Sequence, residues 1–146
     1  SYLSMVVKRH HASIIKQEYI TKKVYAVDNG MINAVTYNFN KNYGKLLENM
    51  LYLELHRKYP EIYFFHDKVE CDFLIFNKSK IMNIIQSAYT LTDKSTKDRE
   101  ITGLVEACKK YKLKKGIILA YDEEDTFKQD NIFIDVIPSY KFILEK

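Results

Sequence analysis

Three short stretches carry the side chains that could do chemistry: Glu48, Asp72, and Gln86-Ser87-Ala88. A Mg2+ ion dehydrates reluctantly and commonly rests on only one or two protein carboxylates. Glu48 and Asp72 supply two such groups. Gln86 adds a neutral amide oxygen and Ala88 no polar atom at all, so the set is short of charge for tight metal binding. A structural use stays open for each residue. Glu48 suits the polar edge of a helix against a sheet, satisfied by Asp72 or a backbone amide, because buried carboxylates are rarely left unpaired. Asp72, between Cys71 and Phe73, suits the polar side of a half-exposed strand. Gln86, between Ile85 and Ser87, suits a structural strand position. Glu70 reads as a surface partner for Lys68 or another cation and as a weak metal candidate.

Other reactive residues point to less. His10 and His11 are adjacent, so they face different ways on any regular element, and no carboxylate or cysteine cluster stands near them. They read as part of a solvated linker. Asp122-Glu123-Glu124-Asp125 lacks the spacing and glycine of a calcium loop and reads as a solvated turn. Neither GxxxxGK[ST] nor GxGxxG occurs, so no ATP site is expected in this chain. The two cysteines, Cys71 and Cys108, lack CxxC spacing, which favours a reduced, intracellular and cytoplasmic chain. Twelve tyrosines and eight phenylalanines lack the interleaved Arg and Lys of a stacking platform for single strands. They are assigned to the core or to subunit contacts.

The elements that must position Glu48 and Asp72 follow from hydrophobic period. Residues 45–58 repeat apolar side chains at spacings of three and four through Leu47, Met50, Leu51 and Leu55, which predicts a helix ended by Tyr59-Pro60. Three strand-like runs follow, Glu61 to His66, Glu70 to Phe76 and Lys80 to Tyr89, with turns at Asp67-Lys68 and Asn77-Lys78-Ser79. An antiparallel meander is the economical topology. A second helix is expected from a cap at Ser95 or Thr96 to Tyr111, burying Ile101, Leu104, Val105 and Cys108. Ile117 to Tyr121 reads as a central strand covered on both faces. Asn131 to Val136 reads as a last strand and Tyr140 to Leu144 as a short closing helix or turn. Upstream, Tyr2 to Lys23 reads as a short strand and then a linker. Asp28-Asn29-Gly30 serves a turn, and Met31 to Tyr37 adds a helical turn.

A chain of 146 residues, 47% hydrophobic, fits one α/β domain able to bury roughly two thirds of its unfolded surface. No run approaches the roughly 20 apolar residues of a membrane span, so no membrane partner is expected. The start at Ser1, in mid-pattern and without Met, suggests a piece of something larger. A net charge of +4 is too small to imply nucleic acid by itself. Lys8, Arg9, Lys109, Lys110, Lys112, Lys114 and Lys115 could still make a local basic patch.

The order helix, meander, helix, strand resembles the core of the restriction-endonuclease-like, PD-(D/E)XK nucleases. Tyr43 to Leu55, with Lys23 to Gly30 before it and Val69-Glu70-Cys71-Asp72-Phe73 after it, is similar to the C-terminal domain of a family of archaeal and bacterial AAA-type ATPases. In that family the domain follows a P-loop module and a winged-helix module. The resemblance implies a tail of the preceding module or a linker over residues 1–22 and an accessory nuclease-like domain over 23–146. In the nuclease archetype a helix glutamate, a strand aspartate and an acid-x-lysine pair surround the scissile phosphate. The carboxylates hold Mg2+, which activates water and stabilises charge. Carried over, the resemblance assigns Glu48 and Asp72 to the first two positions, Gln86 to the second acid and Ala88 to the lysine. Losing one such electrostatic contact costs ~3 kcal/mol, about two orders of magnitude in rate. The expectation is therefore a non-catalytic domain that contacts the upstream ATPase module, other subunits or DNA, with an oligomeric parent and ATP bound only upstream. A divergent Mg2+-dependent DNA nuclease is the alternative.

Overall fold

The two most apolar strands of the chain can lie only where both of their faces are covered, and the rest of the architecture is arranged around them. The computed structural model describes residues 3–28, 30 and 43–145. Its elements in chain order are β1 (Ser4–Lys8), α1 (Ile14–Tyr19), β2 (Lys22–Ala26), α2 (Tyr43–Lys58), β3 (Glu61–His66), β4 (Glu70–Asn77) and β5 (Lys80–Ala88). There follow α3 (Lys94–Tyr111), β6 (Lys115–Ala120), β7 (Asp125–Gln129), β8 (Ile132–Pro138) and α4 (Ser139–Leu144). The helical turn expected over 31–37 lies outside the described residues.

A six-stranded sheet runs in the order β3-β4-β5-β6-β8-β7. β3, β4 and β5 form the expected antiparallel meander, whereas β5, β6 and β8 are parallel, so the sheet is mixed. α2 covers one face, packing Leu51 and Leu55 with Phe73, Ile75, Ile85 and Leu119. α3 covers the other, packing Leu104 and Cys108 with Leu74, Ile84, Ile118 and Ile134. The protein is thus an α/β fold with a mixed central sheet flanked by helices, and β6 is the covered central strand its composition predicts.

Local chemistry sets the turns and ends. Lys78 and Ser79, and again Asp130 and Asn131, have positive φ, the geometry of two-residue hairpin turns that follow the strand twist. α3 is capped two or three residues earlier than expected. The Asp93 side chain, rather than Ser95 or Thr96, accepts from the Thr96 amide at 2.8 Å and from the Ser95 hydroxyl at 2.7 Å, and these bonds hold its carboxyl at about 2. α3 also passes so close to β4 that a Cβ on Gly103 would collide with the Glu70 carbonyl oxygen.

The segment before α2 departs from a strand followed by a linker. β1 pairs antiparallel with β2, with Val6 opposite Val24 and Val7 opposite Lys23. The ribbon buries Val7 and Tyr25 against α2 and the sheet, and its continuation bridges Arg9 to Phe64 at the edge of β3. α1 is a short helix where linker was expected. His10, read as solvated, is half-buried. It stacks on Phe76 with ring centroids 4.5 Å apart and meets the Tyr111 hydroxyl through Nδ1 at 2.6 Å. The acidic loop is likewise not all turn. Asp125 opens β7, an edge strand whose polar, exposed sequence carries no hydrophobic alternation.

Candidate functional site

Asp72 owes its position to a break in the β4 register. Tyr63 pairs with Leu74, yet Phe65 pairs with Cys71. β4 therefore carries one extra residue, with Asp72 and Phe73 together opposing Phe64, which is a β-bulge. Beyond the bulge the strand resumes its alternation, Leu74 and Phe76 toward α3 and Phe73 and Ile75 toward α2. The Asp72 amide donates to Gln86 Oε1 at 2.9 Å. The Asp72 Oδ2 atom accepts from the Ser87 amide at 3.0 Å and the Ser87 hydroxyl at 2.7 Å.

Glu48 reaches the same place from the first turns of α2. The group between the two is an ammonium. Lys23 Nζ lies 3.0 Å from Glu48 Oε1, 2.8 Å from Asp72 Oδ1 and 2.6 Å from Glu70 Oε1, so all three of its N–H donors are matched to carboxylates. The Tyr25 hydroxyl, on the same ribbon face, donates to Glu48 Oε1 at 2.7 Å. The Phe64 ring lies 5.4 Å from Nζ. Asn49 anchors the ribbon by accepting from the Ala26 amide at 2.8 Å and donating to the Ala26 carbonyl at 3.0 Å.

The charges shift one another accordingly. Burial works to lower the Lys23 pKa, but the charges of Asp72 and Glu48 outweigh it and hold the ammonium above its ordinary value. Burial and the charge of Asp72 raise Glu48, despite opposition from Lys23 and Tyr25. Burial would raise Glu70 too, yet Lys23 and His66 bring it below the usual carboxylate range. Burial, then Glu48, raises the Tyr25 hydroxyl. Burial also pushes the Cys108 thiol up to about 12 and raises Cys71, so neither thiol is a ready nucleophile.

A cleft of about 740 Å3 opens beside this cluster, lined by Glu48, Glu70, Asp72, Gln86, Arg99 and Glu100 among others. Lys23 and Tyr25 do not line it, so the ammonium meets the carboxylates from the ribbon side. Gln86 Nε2 donates to Glu100 Oε2, and Arg99 binds the other Glu100 oxygen at 2.6 Å. Ala88 is buried and contributes no polar atom. Among the described residues no group of three or more His, Cys, Asp or Glu is placed to hold a metal ion. Both Asp72 oxygens already have partners, which suits an ammonium better than Mg2+.

The structure therefore brings Glu48, Glu70, Asp72, Gln86, Ser87 and Ala88 to one cleft, adds Arg99 and Glu100 to its lining, and sets Lys23 and Tyr25 against the carboxylates from the ribbon side. Three of the additions left a trace in the sequence. Lys23 and Tyr25 are two apart on a strand and share a face. Glu100, Leu104 and Cys108 recur every four residues, which puts a carboxylate on the buried stripe of α3.

A family model described as "Domain of unknown function (DUF4143)" matches residues 43–142, more than half of the chain. The chain belongs to that family. The DUF4143 match contains Glu48, Glu70, Asp72, Gln86 and Glu100, whereas Lys23 and Tyr25 lie before it. The chain is also similar to "Uncharacterized protein MJ1544" of Methanocaldococcus jannaschii, 35% identical over 133 residues. That alignment covers 84% of this chain and 29% of the relative, so the chain spans under a third of that protein's length. No solved structure matches the chain.

Proposed function

We propose that this DUF4143 chain is a non-catalytic accessory domain of a larger, ATP-binding AAA-type ATPase, with a restriction-endonuclease-like core and a nuclease site turned into a structural ion network. The observation that carries the reading is the Lys23 ammonium, whose donors are all spent on Glu48, Glu70 and Asp72. A lysine so placed has no donor left for a phosphate. Support for a protein partner, the upstream ATPase module or another subunit, comes from the outer face of the ribbon, where Val6 and Val24 lie opposite each other and are 55% and 64% exposed. DNA is the lesser partner. Lys109 is engaged by Glu106 and Asp130, and Lys115 by Asp135, which dilutes the basic patch. Buried, free Cys71 and Cys108 accord with a reducing, cytoplasmic setting, and among the described residues no helix is long and apolar enough to cross a membrane.

The test is incubation of the chain with single-stranded, duplex and branched DNA in Mg2+ or Mn2+, beside binding titrations against DNA at several salt concentrations and against the upstream module. The expected result is no cleavage and binding to the module. Cleavage that disappears in Asp72→Ala, or salt-sensitive DNA binding with no affinity for the module, overturns it.

One observation favours the second reading, a divergent metal-dependent DNA nuclease. Glu100, bonded to Gln86 in the cleft, returns a carboxylate to the place where the second acid is missing. The same cleavage assay, repeated with Glu100→Gln, decides between the two.

A further inference from the structure

The resemblance calls for a divalent cation between Glu48 and Asp72, and the residues present do not fit one. We infer that Lys23 is the resident counter-ion of this cluster, a cation tethered to the ribbon that cross-links the carboxylates, offsets part of their charge in the native chain and closes them to divalent ions. The inference rests on the proposed non-catalytic reading and says what replaced the chemistry.

Three features support it. Three carboxylates from two elements, Glu48 on α2 and Glu70 and Asp72 on β4, converge within 3.0 Å of one nitrogen. Without a cation such a convergence is repulsive, so something positive must sit there. Lys23 is firmly delivered, because β2 is paired with β1 through five residue pairs and fixed to α2 by both Asn49 bonds to Ala26. The carboxylates are also held by groups other than the ammonium. Tyr25 and Ser87 take up further lone pairs of Glu48 and Asp72, and no buried side-chain nitrogen or oxygen among the described residues lacks a hydrogen-bond partner.

A tethered ion and a free one differ in a measurable way. A bound metal can be removed by a chelator and stabilises by mass action; a lysine does neither. The test follows thermal unfolding and Mn2+ binding of the intact chain, with relaxation broadening of the Asp72 and Ser87 amides as a local readout. In the wild type, EDTA and Mn2+ should leave the midpoint unchanged and the two amides unbroadened. In Lys23→Gln, which removes the charge and keeps a polar chain, the midpoint should fall. Added Mn2+ should raise it again, with affinity at least about tenfold above wild type. In Lys23→Gln combined with Asp72→Asn the Mn2+ response should vanish. If Lys23→Gln is unfolded without metal, Mn2+-dependent folding is the same expected result.

Broadening or stabilisation of the wild type by Mn2+ overturns the inference and the non-catalytic reading together. A Lys23→Gln variant that is as stable as wild type, or that Mn2+ does not rescue, overturns the inference alone.

Discussion

The ribbon of β1 and β2 is fastened to the main sheet in two places, by charges at Lys23 and by rings at His10, and the two fastenings obey different rules. At Lys23 an ammonium with 16% exposure meets carboxylates on α2 and β4. Desolvating charges costs nearly as much as their attraction returns, so the intact cluster adds little net stability. Breaking it leaves like charges facing one another. At His10 the imidazole stacks on Phe76, meets Tyr63 and Tyr111 edge-on at 5.2 Å each, and is hydrogen-bonded to the Tyr111 hydroxyl. Ring contacts are modest and tolerant of loss. One fastening therefore specifies where the ribbon sits, and the other supplies ordinary adhesion.

The largest expected effect comes from removing the cation. Lys23→Met should cost about 3–5 kcal/mol at pH 7, measured by urea unfolding, because three carboxylates lose their counter-charge. The deficit should shrink on acidification. In the variant Glu48, already raised above its ordinary value of 4.5 by burial and by the charge of Asp72, loses the opposing charge of Lys23, and a raised carboxyl favours the folded state as pH falls toward that ordinary value. A deficit equal at pH 7 and pH 4.5 would show that Lys23 acts through packing.

His10→Ala is expected to cost less, about 1–3 kcal/mol, and its deficit also shrinks on acidification, through the titration of an imidazole rather than of a carboxyl. Burial, then the charge of His11, lowers the His10 pKa below 6.5. This site's contribution is thus complete above 6.5 and is lost as pH falls through the lower folded value. His10→Ala should flatten the stability profile between pH 5 and 7, roughly the range where histidine titrates; an unchanged profile would place the titrating group elsewhere.

Smaller still is Tyr111→Phe, which removes the hydroxyl and keeps the ring. About 1 kcal/mol is expected, the net worth of one hydrogen bond, read from the same urea curves. The smallest number is the most informative. If the fastenings are independent, Lys23→Met and His10→Ala should add within about 0.5 kcal/mol. If losing one frees the whole ribbon, the double variant should cost clearly less than the sum.

The same division governs what could be read from the sequence. α2, α3 and the meander were legible because their signals are local: Leu47, Leu51 and Leu55 mark a face, and Asn77-Lys78-Ser79 marks a turn. β7 was not, since Asp125 to Gln129 is an exposed edge strand with almost no apolar residue to alternate. The chemistry followed suit. Glu48, Asp72 and Gln86 could be named from their types and their resemblance to a known pattern. Lys23 could not be joined to them, because it lies 25 residues from Glu48 and 49 from Asp72. Only the pairing of β1 with β2 brings it there. His10 was misread for a related reason: its partner Tyr111 is 101 residues away, and nothing near His10 in the chain hints at a ring cage.

The extra residue in β4 has a consequence for how this domain can change over generations. Leu74 and Phe76 belong to one layer and Phe73 and Ile75 to the other, so any exchange among them is judged by two cores at once. Asp72 stands at the point where the count slips and belongs to neither layer. Asp72 is buried, and the hydrogen bonds from Ser87 and Lys23 hold it to an oxygen-bearing side chain. A substitution at this position therefore changes the charge of the cleft while both packed layers of β4 keep their register.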